Sequence, residues 1–256
     1  MSGRRTLTDL AVAAGALALI ALLLELWTSA FRVPGYLVPA PSAVAARLAT
    51  DWPLLAREAG VTIAEATAGF IVGTAVAFAI AAAMVRSRLL ERTLFPLAIL
   101  VKLTPVVAVA PLFTLWFGFG SAPKVAIAAL ITFFPMVVNA FVGLRSADPQ
   151  EVAFLETLGA SRGEVFRLLR VPSSLPYLFS GARISVNLAL IGAVIGEWTG
   201  ADHGLGRVIL VSNANLDLAT LFAAILLLAS IGIAANALVG ALERRVLHWH
   251  PVQLAA

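Results

Sequence analysis

A chain of 256 residues that is 61% hydrophobic and 12% charged, with a mean hydropathy of +0.96, is far more apolar than a soluble domain of about half apolar and a quarter charged residues. Without a cysteine it holds no disulfide, thiolate metal site or cysteine nucleophile. Its net charge of +4 and isoelectric point near 10.3 read, in such a chain, as basic loops facing anionic lipid rather than as a nucleic-acid surface.

Six apolar stretches are expected to cross a membrane, at roughly residues 7–29, 62–85, 94–117, 125–144, 182–198 and 218–242, each close to the ~20 residues a bilayer requires. The first follows Arg4 and Arg5 and has the outline of a signal peptide. Its apolar region exceeds the usual length and no cleavage site follows, so it reads as a retained anchor. Residues 30–57 follow, where Ser42 is placed to cap a short amphipathic helix reaching Leu55 on the outer face. The second span carries Gly69 and Gly73 at GxxxG spacing, a weak sign of close helix packing. The third contains Pro96, Pro105 and Pro111, which interrupt helical hydrogen bonding; residues 104–111 either line a pathway or are an ordinary kink.

Between the fourth and fifth spans lies LGASRGEVFRLLRVPSSLP, residues 158–176, too charged to cross a bilayer. A short helix is expected over 148–158, a tight reversal at Gly159, and a capping box from Ser161 to Glu164 opening a second helix. That helix is expected to face Val165, Leu168 and Leu169 one way and Arg162, Arg167 and Arg170 the other, to end at Pro172, and to return to the membrane at Pro176. After the fifth span, Gly200, Gly204 and Gly206 precede a VILV run, suggesting a short helix dipping back into protein.

Charge alternates along this order. With the N-terminus inside, inner segments carry Arg4, Arg5, Arg86, Arg88, Arg92, Arg145, Arg162, Arg167, Arg170, Arg183, Arg244 and Arg245; outer segments carry only Arg32, Arg47, Arg57, Lys124 and Arg207. The bias places both termini and the 158–176 loop in the cytoplasm.

Gly159-Ala160-Ser161-Arg162, with Pro172 thirteen residues past the glycine and Pro176 four later, resembles the cytoplasmic coupling loop of binding-protein-dependent ABC importer permeases. PAPSAV, PLFTLWFGFGSAPKV, FFPMVVNAFVGLRSADPQ, PYLFSGARISV and GEWTGADHGLG resemble the nitrate/sulfonate/taurine branch, including permeases for thiamine-related pyrimidine precursors. The resemblance implies an all-α, type I importer-permease fold of about six transmembrane helices. It implies one domain over 1–256, with its core near 58–242 and coupling loop near 146–180. It assigns docking of the ATPase subunit to Glu156, Gly159, Ala160, Ser161, Arg162, Pro172 and Pro176. It implies two ATP-binding subunits using ATP and magnesium, a second permease chain (a homodimer), a periplasmic or lipid-anchored solute-binding protein, surrounding membrane lipid, and a bacterial inner-membrane location. No cofactor is expected in this chain. One departure stands out: the family loop opens Glu-Ala-Ala, whereas this chain has Ala153-Phe154-Leu155, and no contact is carried over for the missing glutamate.

No GxxxxGK[ST] loop is present, so ATP hydrolysis falls to another chain. His203, His248 and His250 make poor metal ligands, the last two reading with Trp249 as an interfacial anchor. Ser185 and Ser230 read as helix packers. Charges inside spans are stronger leads. Lys102 can bind an anionic solute, snorkel, or pair with a carboxylate such as Glu65. Glu25 reads as an interfacial group. Glu197 is either a gate or an interfacial helix end, and Asn139 and Asn187 are either interhelical glue or ligands. Candidate pathway and gate residues are therefore Lys102, Thr104, Pro105, Pro111, Asn187 and Glu197. An ion-gradient-driven secondary transporter or channel is the alternative function, and a membrane enzyme a distant third, for want of a catalytic constellation.

Overall fold

Long apolar runs without strand-like alternation leave the chain one way to satisfy its backbone in lipid, the helix. In the computed structural model, which describes residues 2–248, every regular element is helical. In chain order these are α1 (Ser2–Ala30), α2 (Pro41–Thr50), α3 (Trp52–Arg86), α4 (Arg88–Leu103), α5 (Val106–Phe117), α6 (Ser121–Arg145), α7 (Pro149–Thr157), α8 (Arg162–Val165), a π turn (Phe166–Arg170), α9 (Val171–Trp198), α10 (Leu205–Ala214) and α11 (Leu218–Val246). Among the described residues, α3, α6, the run from α8 through α9, and α11 are long and apolar enough to cross a membrane. The expected anchor at Trp249 and His250, and the side chains of Arg4 and Arg5, lie outside the described part.

The third expected span is two helices, not one kinked helix: α4 and α5 meet at 101°. Pro105 lacks an N–H, and its ring drives Thr104 into extended backbone (φ −72°, ψ 124°). The pair still traverses the bundle. Glu91, at the start of α4, bonds Arg145 at the end of α6, whereas Thr114 of α5 meets Thr199 beyond the far end of α9.

The centre of the bundle is α6, packed between α3 and α9. Small residues set its spacing. A Cβ on Gly192 would lie 2.6 Å from Ala128 Cα, and one on Gly143 would lie 3.0 Å from Ser174 Cα. Gly69 and Gly73 sit as closely against Ala128 and Thr132, so the GxxxG pair does mark a helix contact. Ser185 packs as expected, its hydroxyl donating to Thr132 O at 3.3 Å.

Several local expectations fail. Ser42 does not cap α2, whose N-cap is Ala40. Its N–H and hydroxyl instead donate to Glu25 of α1, at 2.9 and 2.7 Å, so Glu25 is half-buried and holds α2 in place. The outer helix stops at Thr50, and α3 starts at Trp52, ten residues before the expected span. Asn139 bonds back to Pro135 O at 2.8 Å within α6, satisfying a carbonyl of its own helix rather than bridging two. Pro172 ends nothing: helix continues from Arg162 to Trp198. The π turn just before it shifts the hydrogen-bond register, and Pro172 then falls in the first turn of α9, where a missing N–H is tolerated.

Candidate functional site

The loop between α6 and α9 folds into a knuckle built from local signals. Asp148 caps α7, accepting the Gln150 N–H at 2.8 Å. The helix closes in a Schellman arrangement, with Gly159 N–H donating to Glu156 O and Ala160 N–H to Leu155 O, both at 3.0 Å. This requires the left-handed backbone that Gly159 supplies at φ +82°, as expected. The capping box also forms: Ser161 N–H donates to Glu164 Oε2 at 2.7 Å, and Glu164 N–H to Ser161 Oγ at 3.3 Å.

The knuckle is tied into the bundle from beneath. Arg170 donates to Leu144 O at the end of α6 (3.2 Å), Ser146 Oγ donates to Ser173 O (3.3 Å), and Arg86 of α3 lies 4.9 Å from the Phe166 ring centre. Val165 is buried, but Leu168 is 68% exposed, because the π turn rotates it off the face it was expected to share. Leu168 joins Phe154 (63%) and Leu158 (69%) as apolar side chains on an otherwise charged projection. Glu156, Ser161 and Arg162 are exposed nearby, and Ala160 is half-buried, whereas Pro172 and Pro176 belong to α9 behind the knuckle.

The second constellation lies toward the opposite end, where α10 turns back against α3 and α9. Three successive N–H groups at its start have no partner within the helix. Gly204 N–H donates to Glu58 Oε2 (2.6 Å), Leu205 N–H to Thr62 Oγ1 (2.9 Å), and Gly206 N–H to Glu197 Oε2. Thr62 in turn donates to Glu197 Oε1 at 2.7 Å. Glu197 and Thr62 are wholly buried. Positive N-terminal helix charge and carboxylates stabilise each other in this geometry. Gly204 adopts φ +113°, and a Cβ there would collide with the Glu197 carboxylate. Beside them Lys124 pairs with Glu65 at 3.2 Å, both buried, and His203 Nδ1 lies 3.2 Å from Glu58 Oε1. Glu197 is therefore not an interfacial helix end, and Lys124 is not a loop charge. Sequence reading missed the roles of Glu58, Thr62 and Lys124; acidic residues inside an apolar run were the available signal.

The Lys102–Glu65 pairing is also excluded, since Glu65 is held by Lys124. Lys102 stands 4.9 Å from the Phe134 ring centre, in a crevice also lined by Asn139. Asn187 lines a different groove of about 970 Å³ between α9 and α11, bordered by Val107 of α5. Thr104 and Pro105 form the α4–α5 break and Pro111 lies within α5, so the six candidate pathway residues do not converge on one site.

Comparison with known proteins is decisive about the class. Residues 75–248 match the family described as binding-protein-dependent transport system inner membrane component. The chain is 35% identical to the formylaminopyrimidine transport permease of Halalkalibacterium halodurans, over 91% of this chain and 94% of that protein. It is 36% identical to the riboflavin transport system permease of Chloroflexus aurantiacus, over 89% and 87% respectively. The fold matches the inward-facing MetNI methionine ABC transporter with a TM-score of 0.65 at 16% identity, covering 75% of this chain and 96% of that one. The chain belongs to the inner-membrane components of binding-protein-dependent transport systems, the permease subunits of ABC importers.

Proposed function

We propose that the knuckle formed by α7, α8 and the π turn is where a separate ATP-binding subunit docks, and that this contact drives transport. The observation that carries this is the pairing of an exposed apolar tip with rigid anchorage. Phe154, Leu158 and Leu168 offer a surface for a groove, while Arg170, Ser146 and Arg86 link the same element to α6, α9 and α3. A push on the tip is thereby delivered to the three helices at the core. Glu156, Gly159, Ala160, Ser161 and Arg162 form or border the docking face; Pro172 and Pro176 shape the lever behind it.

In this reading two permease chains form the pathway, as a homodimer, and two ATPase subunits hydrolyse ATP with magnesium beneath them. The permease makes no bond itself. A periplasmic binding protein delivers a small polar solute from the α10 side, and both termini and the knuckle lie in the cytoplasm. ATP-driven closure draws the two knuckles together and switches the pathway between its outward and inward states. The relatives that carry formylaminopyrimidine and riboflavin make heteroaromatic nitrogen compounds the first solutes to try, with sulfonates, taurine and nitrate as alternatives.

Substitution at the turn tests the docking. At φ +82° a Cβ added to Gly159 meets no neighbouring atom within 4 Å, so the cost of a valine there falls first on the turn itself. The left-handed conformation costs roughly 1–2 kcal/mol, too little to unfold the bundle. Gly159→Val should leave the permease inserted and abundant while the ATPase subunit no longer co-purifies and uptake is lost. Normal co-purification with parental uptake would reduce the knuckle to a connector.

A further inference from the structure

We infer that the groove between α9 and α11 carries an uncharged, hydrogen-bonding solute, met one to two turns in from its knuckle end by the amides of Asn187 and Asn236. The inference rests on that groove being the translocation pathway of the proposed importer.

Two stripes line the groove. On α9, Arg183, Asn187, Ile191 and Trp198 recur at near-helical spacing; on α11, Gly232, Asn236 and Gly240 do the same. Asn187 and Asn236 are half-buried, and among the described residues neither amide has a hydrogen-bond partner. Unpaired amides on apolar helices are unfavourable against lipid, so their natural counterpart is a polar molecule in the groove. The walls carry no charge at this depth. Arg183, one turn from Asn187 toward the knuckle, is neutralised by Glu243, which accepts from its Nε at 2.7 Å and its terminal nitrogen at 2.6 Å. Arg244 lies two turns beyond Asn236 at the same end. An anion reaching the amides would shed water without meeting a counter-charge. A neutral heterocycle or amide would find two groups that both donate and accept, with the Trp198 ring farther along. Lys102, a cation within the α4–α5 pair, lines the other crevice, against Phe134.

The absence of cysteine makes a direct test clean. Asn187→Cys and Asn236→Cys, each in membranes containing the assembled importer, are alkylated with iodoacetamide and with iodoacetate, which match in size and differ in charge. Rates are referred to Ser161→Cys on the exposed knuckle. Reaction requires the thiolate, hence water, so a lipid-facing thiol reacts slowly with both. The expected result is an iodoacetamide-to-iodoacetate ratio at either groove position at least about tenfold above that at position 161, equivalent to only ~1.4 kcal/mol of discrimination. A ratio equal to that of Ser161→Cys, or favouring iodoacetate, leaves the groove a wet pathway but overturns its selectivity for uncharged solutes. Slow reaction with both reagents at both positions means the groove is sealed by lipid or by a second copy, and the pathway reading falls with the inference.

Discussion

Replacing Thr62 by valine keeps the volume of a wholly buried side chain and removes one hydroxyl. That hydroxyl accepts the Leu205 N–H at 2.9 Å and donates to Glu197 Oε1 at 2.7 Å, so the substitution strands a backbone donor and a carboxylate oxygen together. Leaving one such group unsatisfied costs about 1–3 kcal/mol, more where a charge is involved. A loss of about 3 kcal/mol is a conservative sum, and it falls on the attachment of α10 to α3 and α9. Because α10 is a short element held at its start, the loss should appear as local opening before global unfolding. Hydrogen exchange of the purified importer should show amides around Gly204–Gly206 losing protection by about 100-fold, while α6 amides stay protected. Thr62→Ser, which keeps the hydroxyl, should exchange like the parent. Unchanged protection in Thr62→Val would mean that the buried triad of Glu58, Thr62 and Glu197 does not hold α10.

Three further outcomes follow from the packing and the path of the chain. Gly192→Val places a Cβ 2.6 Å from Ala128 Cα, which is backbone and cannot swing aside; overpacking of this kind costs about 1–3 kcal/mol or more, so detergent melting should drop sharply or the protein should be lost. Gly60→Ala, with no atom within 4 Å, should melt at or above the parental temperature. For topology, single cysteines at Ser87 and Ser161 should react only with reagents that reach the cytoplasm and those at Ser42 and Ser121 only from outside; cytoplasmic labelling at Ser121 would turn α4–α5 into a hairpin that enters and leaves by one face.

The features legible in the sequence are those encoded by neighbours in the chain. The knuckle depends on Gly159, Ser161 and Glu164, two to five residues apart, and its turn and capping box formed as expected. Hydrophobic length located α3, α6, α9 and α11 for the same reason, whereas the third expected span is the bent pair α4–α5 and, among the described residues, the first falls short of a full span, its apolar part covering Gly15–Ala30. The α10 clamp was hidden because its partners are distant: Thr62 meets Glu197 across 135 residues, and Glu58 meets Gly204 across 146. Hydropathy treats Lys124 and Glu197 as charges that end a span, and only the folded bundle shows each closing a buried network. Prolines misled in both directions. Pro172 was absorbed into the first turn of α9 behind a π turn, whereas Pro105 broke its span outright, because only there did Thr104 take extended backbone as well.

The motion of the knuckle can be measured in the assembled importer. A spin label at Ser161→Cys, the sole cysteine of each permease chain, reports the distance between the two knuckles across the proposed homodimer. Trapping the complex with ATP and a hydrolysis-blocked ATPase subunit should shorten that distance relative to the nucleotide-free state, with the solute-binding protein present in both. An unchanged distance, in a complex shown to bind ATP, would contradict transmission of ATPase closure through this loop.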